Sequence, residues 1–253
     1  THYYENMVAS SMYSVIHEGG HAIYELNTGD DLIGTTMAGG ASLGLHESQS
    51  RFYENIIGRS EAFISLIFPK IKELFPEQFE NVSAHDFYLA VNKAEPSLIR
   101  TEADELTYSM HIMIRYEIEK RLMDGSLSTK DLPNEWNRLY KEYLGIDVPC
   151  DSMGCLQDSH WSGGALGYFP SYSLGSAYGA QFLHKMKQDI DIDKLVSENR
   201  IDEVTAWLTE KIHKYGMLLT PAQLIKNACG EEFNADYYIE YLTEKYNKIY
   251  DLK

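Results

Sequence analysis

Apolar residues recur three and four positions apart through most of this chain, only 7 prolines interrupt the pattern, and strand-like alternation is rare. That periodicity restricts the chain to a mainly α fold, because side chains spaced this way share one side of a helix and scatter over both faces of a strand. With 253 residues, 44% hydrophobic and 24% charged, the chain can bury a sizeable core, and we expect a single helical domain over 1–253. A formal net charge of −16 repels phosphate backbones and anionic lipid, which argues against nucleic-acid and membrane partners. Cys150, Cys155 and Cys229 are odd in number and lack metal-type spacing, as expected of reduced thiols in a cytoplasmic protein. No stretch near Thr1 reads as a secretory leader, and no window reaches membrane-spanning length. Thr1 is not an initiator methionine and helical periodicity starts almost at once, so we expect the chain to be cut from something longer.

The periodicity predicts a first helix from about Tyr4 to Leu26, stopped by Asn27-Thr28-Gly29-Asp30. Residues Leu32 to Leu45, with Thr35-Thr36-Met37 and Gly39-Gly40, suit a small β hairpin. A second helix is predicted from near His46 through Ile57, and a third from about Glu61 to Phe68. After Pro96 a long helix is expected, with Leu106, Met110, Met113, Ile114, Ile118 and Leu122 on its apolar side and Gly125 past its end. We read that Met-rich side, with Trp136 and Trp207, as core. Gly145 to Gly167 lacks periodicity and reads as a long ordered loop. Near the end, Thr220 and Pro221 open a helix that Gly230 closes, and Asn234 caps a tyrosine-rich final helix.

The first helix carries His17-Glu18-Gly19-Gly20-His21. Residues four apart on a helix lie one above the other, so His17 and His21 can aim two imidazoles at one metal ion. Glu18, one position past the first ligand, is offset around the helix and can reach a metal-activated water, the position of a general base. The apolar neighbours Val15, Ile16, Ala22 and Ile23 suggest a largely buried helix. Gly19 and Gly20 each sacrifice about 1 kcal/mol of helix propensity, which close approach of another backbone or of substrate would explain. A third protein ligand that still leaves room for water is expected from His46-Glu47-Ser48-Gln49. Glu47 is the choice, giving a His17, His21, Glu47 set, with His46 as competitor. The second ring nitrogen of each ligand histidine needs a carboxylate or carbonyl partner, for which Glu25, Asp104 and Asp158 are candidates.

With Ile99-Arg100-Thr101-Glu102-Ala103-Asp104 and Gly154-Cys155-Leu156-Gln157-Asp158-Ser159-His160-Trp161, these blocks resemble the thermostable metallocarboxypeptidase family typified by Taq carboxypeptidase. The resemblance implies a zincin-like multi-helix fold with a groove and release of single C-terminal residues from peptides. It also implies a zinc or cobalt cofactor and, for the full-length protein, a homodimer. Family blocks of the His-Pro-Phe and Asp-x-Arg-x-Thr kind do not precede the metal helix here, so the chain resembles a C-terminal catalytic part.

Roles for other residues follow the resemblance. Arg100 would bind the terminal carboxylate of the peptide through two parallel hydrogen bonds, unless it makes an ordinary helix ion pair with Asp104. His160 resembles a group that hydrogen-bonds substrate or the developing oxyanion, the alternative being a structural histidine. Tyr168 and Tyr172 resemble oxyanion donors, the alternative being packing among 19 tyrosines. The expected reaction is peptide hydrolysis in which the cation polarises the scissile carbonyl and Glu18 moves the proton of water to the leaving amine. Two other readings remain open: an endo-acting metal-dependent oligopeptidase with the same ligands, and an inactive helical fragment.

Overall fold

Ser42 accepts a hydrogen bond from the Leu45 amide, and this N-cap, a motif that contributes about 1 kcal/mol, starts the helix that faces the first one. The computed structural model describes residues 5–252 and contains eleven α-helices among them, with no strand. They are α1 (Val8–Leu26), α2 (Leu43–Arg51), α3 (Glu61–Leu74), α4 (Ala84–Val91), α5 (Glu105–Met123), α6 (Leu132–Leu144), α7 (Pro170–Asp189), α8 (Ile192–Ser197), α9 (Ile201–Lys211), α10 (Pro221–Cys229) and α11 (Asp236–Tyr250). A π-helical turn, Phe52–Ile57, extends α2. The predicted start of the first helix at Tyr4 lies outside the described residues. No helix among the described residues is long and apolar enough to cross a membrane.

The chain divides into two compact units, one formed by the described parts of Thr1–Asn92 and Leu174–Lys253, the other by Lys93–Ser173. In the first, Tyr24, Leu45, Phe52, Ile57, Phe182, Met186, Leu208 and Leu224 belong to one buried apolar cluster. A second cluster joins Ile64, Phe68 and Ile71 of α3 to Phe87 and Tyr88 of α4. Each large side chain so buried contributes about 1.5–3 kcal/mol. In the second unit α5 and α6 close on Ile114, Ile118, Trp136, Leu139 and Tyr140, with the Trp136 and Tyr140 rings stacked at 5.1 Å.

Close approach in the first unit depends on two glycines. A Cβ on Gly20 would stand 2.7 Å from the Ser50 Cα and 2.8 Å from the Gln49 carbonyl oxygen. A Cβ on Gly175 would stand 2.7 Å from Glu47 Cγ. The helix carrying Glu47 is thus received by bare backbone from both α1 and α7. A neighbouring backbone does approach at Gly20, whereas Gly19 faces open space with no backbone against it.

The hairpin expected between Leu32 and Leu45 is absent. Its place is taken by a 3₁₀ turn, Asp30–Leu32, and a run of turns. The hydrogen bonds explain the difference: Thr35 donates to the Leu32 carbonyl and Ala38 to the Thr35 carbonyl, both short-range, while Gly40 donates to the Glu25 carboxylate at 3.0 Å. With its amides turned inward and onto α1, this segment has no ladder to offer a second strand.

Other boundaries move for identifiable reasons. Helix α3 runs through Pro69 to Leu74, although the pattern suggested an end at Phe68. Pro69 cannot bond the carbonyl of Ser65, but Ser65 is exposed, so solvent can satisfy it. Leu106, Met110 and Met113 are exposed rather than core, while Tyr108, Ile112, Ile114 and Ile118 are buried. Trp136 and Trp207 are buried as expected. Thr220 and Gln223 form a capping box and Gly230 ends α10 in the left-handed conformation, also as expected. Asn234 accepts from the Asp236 amide at 2.9 Å, while the residue at the cap position of α11 is Ala235.

Candidate metal centre

Helix α1 presents His17 and His21 on the side that meets α2. Glu47 Oε2 lies 3.7 Å from His17 Nε2 and 3.6 Å from His21 Nε2. Zinc holds nitrogen and oxygen ligands at about 2.1 Å, so neighbouring ligands of a tetrahedral ion stand about 3.4 Å apart. The two distances to Glu47 come close to that spacing, and one ligand atom from each of the three lies within 4.8 Å of the others. This donor set of two imidazoles and one carboxylate suits a zinc-type divalent cation.

The surroundings fix each donor. The other oxygen of Glu47 accepts from Arg51 Nε at 3.0 Å, and Ser50 Oγ donates to Oε2 at 3.2 Å. His17 Nδ1 meets Glu54 Oε2 at 2.8 Å. Since Glu54 as a carboxylate can only accept, Nδ1 carries a proton, which leaves Nε2, on the side of Glu47, as the ring atom able to ligate. Burial opposes the charged form of His17, but the Glu54 hydrogen bond and the charges of Glu47 and Glu54 together raise its pKa. Glu54 itself is held down to about 2: burial works against its charge, and Arg51, the His17 hydrogen bond and Arg59 outweigh it. His21 is pushed down to about 4, mainly by burial and then by His17 and His46, so near neutral pH it is an uncharged ring able to ligate.

His46, the competing ligand, faces elsewhere. Its Nδ1 stands 2.6 Å from His21 Nδ1, and its Nε2 stands 2.7 Å from Glu25 Oε1. Of the suggested carboxylate partners, Glu25 is therefore near the centre but one step removed, and Asp104 and Asp158 are in the other unit. Glu54, the direct partner of His17, was missed by the sequence reading. Its signal was position: it follows Glu47 by two turns on the same helical run and precedes the π turn's end.

Glu18 is exposed on α1 and forms no ion pair among the described residues, though its charge is felt by His21. Val15 and Ala22 are exposed and Ile16 and Ile23 half-buried, so the metal helix has an open side rather than the buried environment expected.

In the second unit the remaining candidates form one cluster. Asp158 accepts from Arg100 Nε at 3.0 Å and Nη2 at 2.9 Å through Oδ1, and from Arg115 Nε at 2.7 Å through Oδ2. Arg100 Nη1 also donates to the Tyr108 hydroxyl at 3.0 Å, and Arg100 is buried. Its ion pair is with Asp158, not with Asp104, which instead caps α5 by accepting from the Thr107 amide. Burial works against the Asp158 charge, but Arg115 and Arg100 overcome it and lower its pKa. His160 Nε2 meets the Tyr172 hydroxyl at 2.9 Å, and the Tyr168 and Tyr172 rings lie 5.3 Å apart. Burial, then Arg100, lowers the His160 pKa and keeps the ring neutral. The loop holding them is tied down where Gln157 Oε1 accepts from the Arg100 amide and Trp161 Nε1 donates to Glu119.

Residues 1–246 match the family described as carboxypeptidase Taq (M32) metallopeptidase. The chain belongs to that family. Carboxypeptidase 1 of Bacillus subtilis is 49% identical over 251 residues, covering 99% of this chain and 50% of that protein. Thermostable carboxypeptidase 1 of Thermus thermophilus is 40% identical over 251 residues, covering 99% of this chain and 49% of its own length. Among solved structures, the M32 carboxypeptidase of Deinococcus radiodurans superposes with a TM-score of 0.96 at 38% identity, covering 100% of this chain and 51% of that one. Metallocarboxypeptidase 1 of Trypanosoma cruzi gives 0.93 at 39% identity, over 98% of this chain and 52% of that one. The chain thus spans about half the length of the family members it matches.

Proposed function

We propose that this chain carries the catalytic residues of a zinc-type metallocarboxypeptidase that releases single C-terminal residues from peptides. The observation that carries this reading is the convergence of His17 Nε2, His21 Nε2 and Glu47 Oε2, each with its outer atoms already engaged. When bound there, a divalent cation supplies a Lewis acid that polarises the scissile carbonyl and brings the pKa of water to about 7. Glu18 takes the proton from the attacking water and returns it to the leaving amine. Its exposed position beside His17, free of any ion pair among the described residues, suits a base that must change charge during turnover.

Arg100 is assigned to the terminal carboxylate of the peptide, which would compete with Asp158 for its guanidinium. His160, Tyr168 and Tyr172 are assigned to substrate and oxyanion hydrogen bonding; the His160–Tyr172 pair spends one proton on its own hydrogen bond and keeps one to donate. Three free cysteines fit a reducing, cytoplasmic setting.

Carboxylate recognition makes a direct test available. A peptide with a free C-terminus should be hydrolysed at its last bond, and the C-terminally amidated peptide should lose about 10- to 100-fold in kcat/KM, the scale of losing a hydrogen bond to a charged group. Equal cleavage of both, at internal bonds, would instead identify an endo-acting oligopeptidase.

A further inference from the structure

His46 belongs to the metal-binding blocks yet is not among the three converging donors, and its surroundings are built to hold it. Its ring packs on His21 at 4.7 Å between centroids and on Tyr24 at 5.2 Å. A Cβ on Gly40 would stand 2.7 Å from His46 Cδ2, so only glycine lets the loop lie against this ring. The same loop binds Glu25 through the Gly40 amide at 3.0 Å, and Glu25 in turn meets His46 Nε2 at 2.7 Å. Burial disfavours the Glu25 charge, but the Gly40 and His46 hydrogen bonds outweigh that and lower its pKa.

Hydrogen-bond bookkeeping then leaves one arrangement. If His21 is to ligate through Nε2, its proton sits on Nδ1 and must be donated. The atom it faces at 2.6 Å is His46 Nδ1, which must accept. A neutral His46 that accepts at Nδ1 carries its proton on Nε2, and that N–H faces the Glu25 carboxylate. We propose that His46, oriented by Glu25 and by the loop at Gly40, is a positioning residue that fixes the tautomer and ring plane of His21 for the cation. His17 is backed directly by a carboxylate and His21 by an imidazole, so the two ligands are supported in chemically different ways. The proposal rests on the metal reading above.

Zinc affinity of the metal-stripped chain, measured by competition with a chromophoric chelator, tests it in three variants. His46→Leu keeps apolar bulk but cannot accept, and should weaken zinc binding by about 10- to 100-fold, the usual effect of removing such an outer partner. His46→Asn can place an amide oxygen near where Nδ1 stands and should restore most of the affinity. His46→Gln places its amide one bond further out, near Nε2, and should behave like His46→Leu. The visible absorption bands of the cobalt-loaded proteins should follow the same order, with His46→Asn resembling the unaltered chain. Unchanged affinity in His46→Leu overturns the proposal, as does any result in which Asn is no better than Gln. A parallel His17→Ala chain separates the two levels: if it too binds zinc normally, the three-ligand reading itself fails.

Discussion

Replacing Glu18 by glutamine is expected to reduce kcat/KM by about 10²- to 10⁴-fold, the usual contribution of a general base, while zinc binding and folding stay intact. Glutamine keeps the size of the side chain and cannot take up the proton of water. Glu18 is exposed and holds no ion pair among the described residues, so its charge is not needed for stability. A surface change of this kind usually shifts stability by no more than about 0.5 kcal/mol. Steady-state kinetics on a free-acid peptide, with zinc content and a melting curve on the same sample, separate the effects. Activity near the unaltered level in a zinc-loaded Glu18→Gln chain would remove Glu18 from the reaction.

The largest stability loss is expected in the other unit. Asp158→Ala leaves Arg100 and the fully buried Arg115 without their carboxylate. Breaking a buried ion pair from one side costs about 3–5 kcal/mol, because the remaining charge stays desolvated. At roughly 2–4 °C per kcal/mol for a chain of this size, the melting temperature should fall by about 10 °C. The pH dependence has a definite sign. Asp158 titrates below its ordinary value of 3.8 in the folded chain, so its contribution is complete above that pH and is lost as acid carries the solution down through the lowered value. The unaltered chain should therefore lose stability in that acidic window more steeply than Asp158→Ala. Thermal melts from pH 2 to 7 measure both effects, and a loss under about 1 kcal/mol at neutral pH would mean the two arginines are held by other groups.

The grouping of His17, His21 and Glu47 was legible where it depends on spacing along one helix: the two histidines needed only the helical repeat, and Glu47 only the expectation that a carboxylate joins them. What lay beyond spacing was set by groups distant in the chain. Arg100 had Asp104 four positions away, but a residue just outside the helix is not on its ladder, and the structure uses Asp158, 58 positions on. Glu54 and His46 were equally invisible as supports, since the roles of outer partners depend on which ring edge each histidine turns toward them.

The fold shows the same limit. Helix existence followed from periodicity, but periodicity marks which residues share a side, not whether that side is covered: Leu106, Met110 and Met113 align and remain exposed. Residues 33–42 have strand-like composition without a partner strand. Their glycines instead serve contact with α1 and His46, Gly40 by having no Cβ to strike the ring and Gly39 by adopting a φ of +99°. Gly175 gave no sign from its neighbours in sequence, because its reason is the Glu47 side chain packed against it.

The claim on which the account stands is that one divalent cation is held by His17, His21 and Glu47. Elemental analysis after incubation with zinc and removal of free ions tests it directly. The unaltered chain is expected to retain one zinc ion and a chain with all three residues changed to alanine to retain none. A triple variant that keeps the same zinc content would contradict the account.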